Sequence, residues 1–145
     1  MREILFRAQH VDSKAWCYGY LVEQFGATEI YFSGDTKHSW DKHRVIPETV
    51  GQYTGLTDKN GTKIFEGDIV RIGRYFSNFY TPDDYVCRYD TDTASFKFYY
   101  IIPEDIADVN KYAVLGDGET LSGMGRGCVI ENVVGNIYDN INYER

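Results

Sequence analysis

Apolar and polar side chains alternate with a period of two through much of this sequence. The clearest example is Trp16–Glu23, in which Trp16, Tyr18, Tyr20 and Val22 occupy every second position. Successive side chains of a β-strand face opposite sides, so this pattern is typical of a half-buried strand. Further strands are predicted at Ile30–Phe32, Ile69–Ile72, Tyr85–Tyr89, Phe96–Ile102 and Val129–Tyr138. The alternation predicts a mainly β protein.

Turn residues and one helical pattern complete this interpretation. Aromatic residues make up 16% of the chain, and rings of this kind favour pleated surfaces. Asn60 and Gly61 stand between two apolar segments and predict a hairpin with a type I′ turn, in which Gly61 has a positive φ. One short helix is predicted at Pro103–Tyr112, where Pro suits the first turn and Ile106 and Val109 share a face.

The composition excludes several classes of protein. The chain has 145 residues, of which 43% are hydrophobic, and a formal net charge of -7. That content is too apolar for a disordered chain, and no apolar run reaches the ~18–20 residues of a membrane-spanning helix. Residues 1–15 lack the apolar core of a secretory signal, so we expect a cytoplasmic protein. Three scattered cysteines favour reduced thiols over disulfides or a zinc site.

The charge is distributed unevenly along the chain. Residues 1–74 carry ten basic and ten acidic side chains, whereas residues 75–145 carry five basic and twelve acidic ones. Proteins that bind duplex nucleic acid usually present a basic stripe to the phosphates. Duplex nucleic acid is therefore not an expected partner.

Four segments together resemble a known family. They are Arg2–Ala8 at the start, Gln52–Gly61 and Lys63–Val70 in the middle, and Val134–Asn140 near the end. The central run is long and unusual, and the chain is similar in these segments to the YopX family of phage and prophage proteins. Residue 141 departs from the family pattern, because Ile141 stands where the family usually has Pro. The resemblance implies a phage-encoded, mainly β protein in the cytoplasm of a bacterial host, without an established activity.

The glycine corners in the same segments predict a domain organisation. Gly67-Asp68 precedes an apolar alternation, and such a pair suits the tight corner before the first long strand of a small SH3-like barrel. Gly135-Asn136 predicts a second corner or a strand kink. We expect an N-terminal β subdomain over residues 1–61, packed with an SH3-like barrel over residues 62–145 that carries an insertion at 75–128. One compact unit is the alternative.

Catalytic and metal chemistry find little support in the sequence. Asp35, His38, Asp41 and His43 are the types of residue that hold Zn or Mn, but they lie in the polar stretch 33–44, for which a solvated loop is the favoured interpretation. The carboxylates of Asp83 and Asp84 lack the downstream lysine pattern of a metal-dependent nuclease. The sequence therefore predicts no catalytic residue, metal ligand or cofactor, and a protein that is not an enzyme.

Aromatic and basic residues interleave between positions 71 and 99. Most of these rings fit paired strands, and the acidic residues nearby cancel the basic charge, so a protein-binding surface is favoured over a single-strand platform. Its candidate residues are Arg74, Tyr75, Phe76, Phe79, Tyr80, Arg88 and Tyr89. The sequence predicts a non-enzymatic binding or assembly module that associates with itself or with a host or phage protein. A protein that binds or processes nucleic acid is the alternative.

Overall fold

The computed structural model describes residues 2–33, 40–101, 119–121, 123–124 and 127–139. These residues form ten β-strands and a short 3₁₀ turn at Pro47–Thr49. The strands are β1 (Phe6–Gln9), β2 (Trp16–Gln24), β3 (Ala27–Ser33), β4 (Trp40–Arg44), β5 (Gly51–Thr57), β6 (Lys63–Phe65), β7 (Asp68–Phe76), β8 (Phe79–Asp90), β9 (Ser95–Tyr100) and β10 (Val129–Asn136).

The chain divides into two compact units, residues 1–55 and residues 56–145. A compact unit is not by itself an independently folding domain. The predicted domain division between residues 61 and 62 therefore stays a prediction. In the first unit the strands lie in the order β4-β3-β2-β1-β5, and their pairing is antiparallel.

The first unit buries one face of its sheet. Ala8, Cys17 and Ile30 lie on this face and form a core with Val45. In β2 the buried Cys17 is followed by the exposed Tyr18, as the period-two pattern predicts. The opposite face of the sheet therefore carries Tyr18, Tyr20 and Tyr31.

The hairpin loop between β5 and β6 lies in the second unit, which begins at residue 56, near the end of β5. Gly61 has a φ of 82°, which confirms the predicted positive φ. The type I′ prediction is wrong, however, because Asn60 is not among the residues with positive φ. The Gly61 amide instead donates to the Asp58 carbonyl, and the Asp58 amide donates to the Thr62 carbonyl, each over 3.0 Å. This is a three-residue loop, in which a type I turn is followed by a glycine bulge.

The carboxylate of Asp58 links this loop to β10. Its Oδ1 accepts the amides of Asn60 at 2.8 Å and Thr62 at 2.9 Å, and its Oδ2 accepts the amide of Val133 at 3.1 Å. Burial raises the pKa of Asp58, but the hydrogen bonds from Thr62, Val133 and Asn60 together outweigh it, and the pKa lies below its ordinary value. The ionised carboxylate is therefore part of the framework of this unit.

Four antiparallel strands form the main sheet of the second unit, in the order β10-β7-β8-β9. Its largest core is formed by one face of this sheet together with Ile64 and Met124. The sheet residues of that core are Val70, Ile72, Tyr85, Cys87, Phe98 and Ile130. Ile69 and Val86 lie on the other face, in a smaller core with Ile101. The predicted strand segments within Ile69–Ile72 and Tyr85–Tyr89 are confirmed.

Glycine and its neighbour form the corner before β7, as predicted. Gly67 has a φ of 91°, and the Asp68 carboxylate accepts the Phe65 amide at 2.8 Å. The Ile137 amide donates to the Gly67 carbonyl at 3.0 Å. The register of β10 shifts between Val133 and Gly135, which places an irregularity where a strand kink is predicted.

The architecture confirms a mainly β protein and corrects one local prediction. Trp40–Arg44 is strand β4 and not part of a solvated loop, because it pairs with β3 along its whole length. The described residues show two antiparallel sheets and no closed barrel, so the SH3-like barrel stays a prediction. The predicted helix at Pro103–Tyr112 lies outside the described residues. Within the described ranges, no helix is long and apolar enough to cross a membrane.

Candidate functional site

Four aromatic residues surround the turn between β7 and β8. Tyr75 pairs with Tyr80, and Phe76 pairs with Phe79, so the loop contains only Ser77 and Asn78. Ser77 has a φ of 52°, and two-residue hairpin loops require a positive φ at their first central position. We call Tyr75, Phe76, Phe79 and Tyr80 the hairpin tip. The sequence analysis did not predict this turn because it contains no glycine, although its aromatic residues are symmetric about Ser77-Asn78.

The two phenylalanines are the most exposed rings of the hairpin tip. The exposed fractions are 62% for Phe76 and 73% for Phe79. Alternation along β7 places Phe76 on the same face as the core residues Val70 and Ile72. Beyond the core this face of the strand passes Arg74, which pairs with Glu119, and ends in an exposed phenylalanine. Such a surface is typical of an interaction site.

The two tyrosines of the hairpin tip are held more firmly. Their ring centroids lie 4.7 Å apart. The Tyr80 hydroxyl donates to a Glu131 carboxylate oxygen, and Lys59 pairs with the other oxygen. The hydrogen bond to Glu131 is the main cause that raises the pKa of Tyr80 to about 12. The Tyr80 ring also lies against Gly73, where an added Cβ would be 2.1 Å from the hydroxyl oxygen.

The other three predicted surface residues do not join the hairpin tip as an exposed basic cluster. Arg74 is half-buried, and its Nη2 lies 2.6 Å from Glu119 Oε2. Arg88 pairs with Lys97 across β8 and β9, and Tyr89 packs edge-on against Phe96 with a centroid distance of 5.2 Å. From Tyr80 to Tyr89 the strand extends about 30 Å, at ~3.4 Å per residue. Arg88 and Tyr89 therefore belong to a different part of the surface.

Residues considered for metal and acid chemistry are separated by the strands. Asp84 is buried and pairs with Arg71 at 3.0 Å, while Asp83 faces the other side of β8. His43 stacks on Phe32 with a centroid distance of 4.8 Å, and Asp41 lies two residues away on β4. Asp35 and His38 lie outside the described residues. Among the residues that the structure describes, no group of three potential ligands comes together.

The three cysteines are free, and Cys17 and Cys87 are buried. Burial raises the pKa of the Cys17 thiol, although a backbone hydrogen bond at His10 opposes this effect. A raised pKa favours the neutral thiol, which is a weak nucleophile. Cys17 thus behaves as a core residue and not as a reactive group.

Comparisons with known proteins identify a matching family and a similar solved structure. A family model described as YopX protein matches residues 5–142. No curated protein matches the sequence. The crystal structure of protein EF1440 from Enterococcus faecalis is similar, with 19% sequence identity over 98% of this chain and 98% of that chain, and a TM-score of 0.49.

Proposed function

Because the chain belongs to the YopX protein family, which brings no specific activity with it, we propose that it is a phage-type, non-enzymatic assembly module. It acts in the cytoplasm of a bacterial host, and it associates with a second copy of itself through the hairpin tip. The observation that carries this proposal is the exposure of Phe76 and Phe79 on the same strand face as a buried core. Host or phage proteins with an apolar groove are further partners for the same rings.

The charges around the hairpin tip support a second copy as the occupant. The whole chain has a net charge of -7, which opposes the approach of two copies. Residues 75–82, in contrast, contain no charged side chain. Contact through the hairpin tip therefore places the uncharged residues of both copies closest together. Repulsion between the remaining charges weakens as salt is added.

The size of the surface predicts weak association. An aromatic side chain buries ~150–250 Å², and the exposed parts of the four rings then offer roughly 450 Å² per copy. Two copies would bury roughly 900 Å², below the ~1,200 Å² at which stable interfaces begin. We therefore expect a dimer that forms at micromolar or higher concentrations and dissociates on dilution.

Sedimentation velocity over a range of protein concentrations tests the proposal, at ~0.05 M and ~0.5 M salt. We expect a concentration-dependent dimer that salt strengthens. The double variant F76S/F79S should remain monomeric. Phe25→Ser is the matched control, because Phe25 is a fully exposed phenylalanine outside the hairpin tip, and its removal should leave the dimer unchanged.

Two results would contradict the proposal. A wild-type protein that stays monomeric at both salt concentrations has no self-association to explain. A double variant that dimerises as well as the wild type places the interface elsewhere on the surface.

A further inference from the structure

A second aromatic surface lies on the sheet of the first unit, on the face opposite its core. Tyr18 and Tyr20 are 48% and 56% exposed, and Tyr31 is half-buried beside them. Tyr20 and Tyr31 are direct cross-strand partners in β2 and β3. We call Tyr18, Tyr20 and Tyr31 the tyrosine face. It differs from the hairpin tip because its rings lie on a flat sheet and not at the end of a hairpin.

Cationic side chains flank the tyrosine face in register. Lys42 pairs with Tyr31 across β3 and β4, and its ammonium nitrogen lies 5.9 Å from the ring centroid. Arg7 pairs with Tyr18 across β1 and β2, but it is buried, and its guanidinium lies 4.6 Å from the centroid of the Trp16 ring. Arg44 is exposed and lies two residues after Lys42, on the same face of β4. Tyr18 and Tyr31 therefore each have a cationic residue as a direct cross-strand partner. Tyr20 is separated from Lys42 by Tyr31.

The charge of this face has the opposite sign to that of the whole protein. On this face of the sheet the cationic side chains are Arg7, Lys42 and Arg44, and the carboxylate is Glu29. Glu23 and Asp41 belong to the same strands but alternate to the opposite face. Glu29 lies 3.1 Å from Lys42, and within the described residues no ion pair is formed by Arg44. The chain as a whole has a net charge of -7. An anionic ligand is thus complementary to this face and not to most of the protein.

The spacing of the rings indicates which anionic ligand fits. Residues two apart on a strand, such as Tyr18 and Tyr20, lie about 6.8 Å apart. Bases in a duplex are stacked at about 3.4 Å. Rings at twice that spacing suit bases that are separated from one another, as in an extended single strand. Stacking on aromatic side chains accepts every base, because each base has a π-face.

We propose that the tyrosine face binds single-stranded nucleic acid. Bases stack on Tyr18, Tyr20 and Tyr31, and the phosphates lie next to Lys42 and Arg44. The half-buried position of Tyr31 and its hydroxyl, which accepts from Gln24 at 3.2 Å, hold that ring in place. Duplexes bind poorly, since their bases are already stacked and the rest of the protein is acidic. This proposal rests on different residues from those of the hairpin tip.

Fluorescence anisotropy with labelled single-stranded DNA, single-stranded RNA and duplex DNA tests this proposal. Single strands should bind more tightly than the duplex, with an affinity that falls as salt rises. The double variant Y18A/Y20A should lose at least tenfold in affinity, because each stacked base is worth about fivefold or more. Y18F/Y20F should retain the affinity, since a phenyl ring still stacks. Phe25→Ala, in the turn after β2, is the control and should bind as the wild type does.

A second variant keeps the test informative if the alanine substitutions disturb folding. K42A/R44A should bind more weakly and show a smaller salt dependence, because two phosphate contacts are lost. The proposal is overturned if no single strand binds at low salt, if duplex DNA binds as tightly, or if Y18A/Y20A keeps full affinity while folded. It is also overturned if Y18F/Y20F loses as much as the alanine variant. Self-association is measured without nucleic acid and on other residues, so the two proposals fail separately.

Discussion

The hairpin tip and the tyrosine face are built from the same class of residue, yet they present opposite chemistry. Residues 75–82 contain no charged side chain, and the charged group that contacts the hairpin tip, Glu131, binds Tyr80 and not the phenylalanines. In the tyrosine face, Tyr31 pairs directly with Lys42, and Arg44 lies two residues further along β4. An uncharged apolar ring gains most by leaving water against another apolar surface. A ring beside a cation can bind a flat, anionic ligand through both features. The residues across the neighbouring strands, and not the rings themselves, determine which partner fits.

The two surfaces are also held in place differently. The tyrosine face depends on close backbone packing, because Gly19 lies between Tyr18 and Tyr20 and an added Cβ would be 2.1 Å from the Tyr31 carbonyl oxygen. The hairpin tip depends on side chains, because the group that an added Cβ at Gly73 would meet is the Tyr80 ring. A backbone carbonyl cannot move without breaking strand pairing, whereas a ring can rotate away. Substitutions at the two glycines should therefore have unequal effects.

The largest effect is expected for Gly19→Ala. The new methyl group should separate β2 from β3 and lower the free energy of unfolding by ~3 kcal/mol, at the upper end of overpacking costs. Urea denaturation measures this loss. Binding of single-stranded DNA should fall with it. An alanine variant as stable as the wild type would show that the backbone accommodates the group and that the comparison is wrong.

A smaller loss, ~2 kcal/mol, is expected for Asp58→Asn in the second unit. The asparagine can still accept the amides of Asn60 and Thr62, but its NH₂ group cannot accept the Val133 amide, which loses its charged partner. Urea denaturation measures the loss. Asp92→Asn is the control, because that exposed carboxylate should change stability by less than ~0.5 kcal/mol.

Asp58→Asn should also remove part of the pH dependence of the free energy of unfolding. The pKa of Asp58 is lowered in the folded protein, so its contribution to stability is present above the ordinary carboxyl value of ~4 and is lost as the pH falls below it. The difference between the wild type and Asp58→Asn should therefore shrink in acid. A difference that is constant from pH ~7 to ~2 would mean that the carboxylate charge does not stabilise this unit.

An intermediate loss, ~1–2 kcal/mol, is expected for Gly61→Val. Gly61 has a φ of 82°, and no atom lies within 4 Å of an added Cβ, so backbone strain alone causes the effect. Thermal unfolding measures it. Gly61→Asn should cost less, because asparagine tolerates this conformation. Equal melting temperatures for Gly61→Val and the wild type would count against the strain.

The smallest loss, ~1 kcal/mol, is expected for Gly73→Ala. The Tyr80 ring should rotate away and give up its hydrogen bond to Glu131, an exchange that costs about as much as one hydrogen bond. The loss should disappear when Tyr80 is replaced by alanine, because the obstructing ring is then absent. A double-mutant cycle measures this coupling. If Gly73→Ala destabilises as strongly as Gly19→Ala, the contrast between side-chain and backbone support is broken.

Local patterns were sufficient to predict several parts of the structure. The strand at Trp16–Glu23, the alternation after Gly67 and the positive φ of Gly61 each depend on a few consecutive residues. The family also followed from consecutive segments. The type I′ turn was wrong, and the loop interpretation was wrong over Trp40–Arg44, because contacts with residues distant in sequence determine both structures. The Asp58 carboxylate stabilises a three-residue loop, which is longer than the two-residue type I′ loop predicted from Asn60-Gly61. Pairing with β3 makes Trp40–Arg44 a strand.

The amino-acid sequence by itself determined that this chain is mainly β and that its net negative charge lies in residues 75–145. Only the tertiary structure decided which rings share a surface. Cross-strand register brings Tyr20, Tyr31 and Lys42 into one row, although their positions are 11 residues apart in each step. Tyr80 and Tyr89 belong to one strand, β8, and its extended backbone separates them by about 30 Å. Sequence periodicity specifies the face of a side chain, but long-range hydrogen bonding between strands specifies its neighbours.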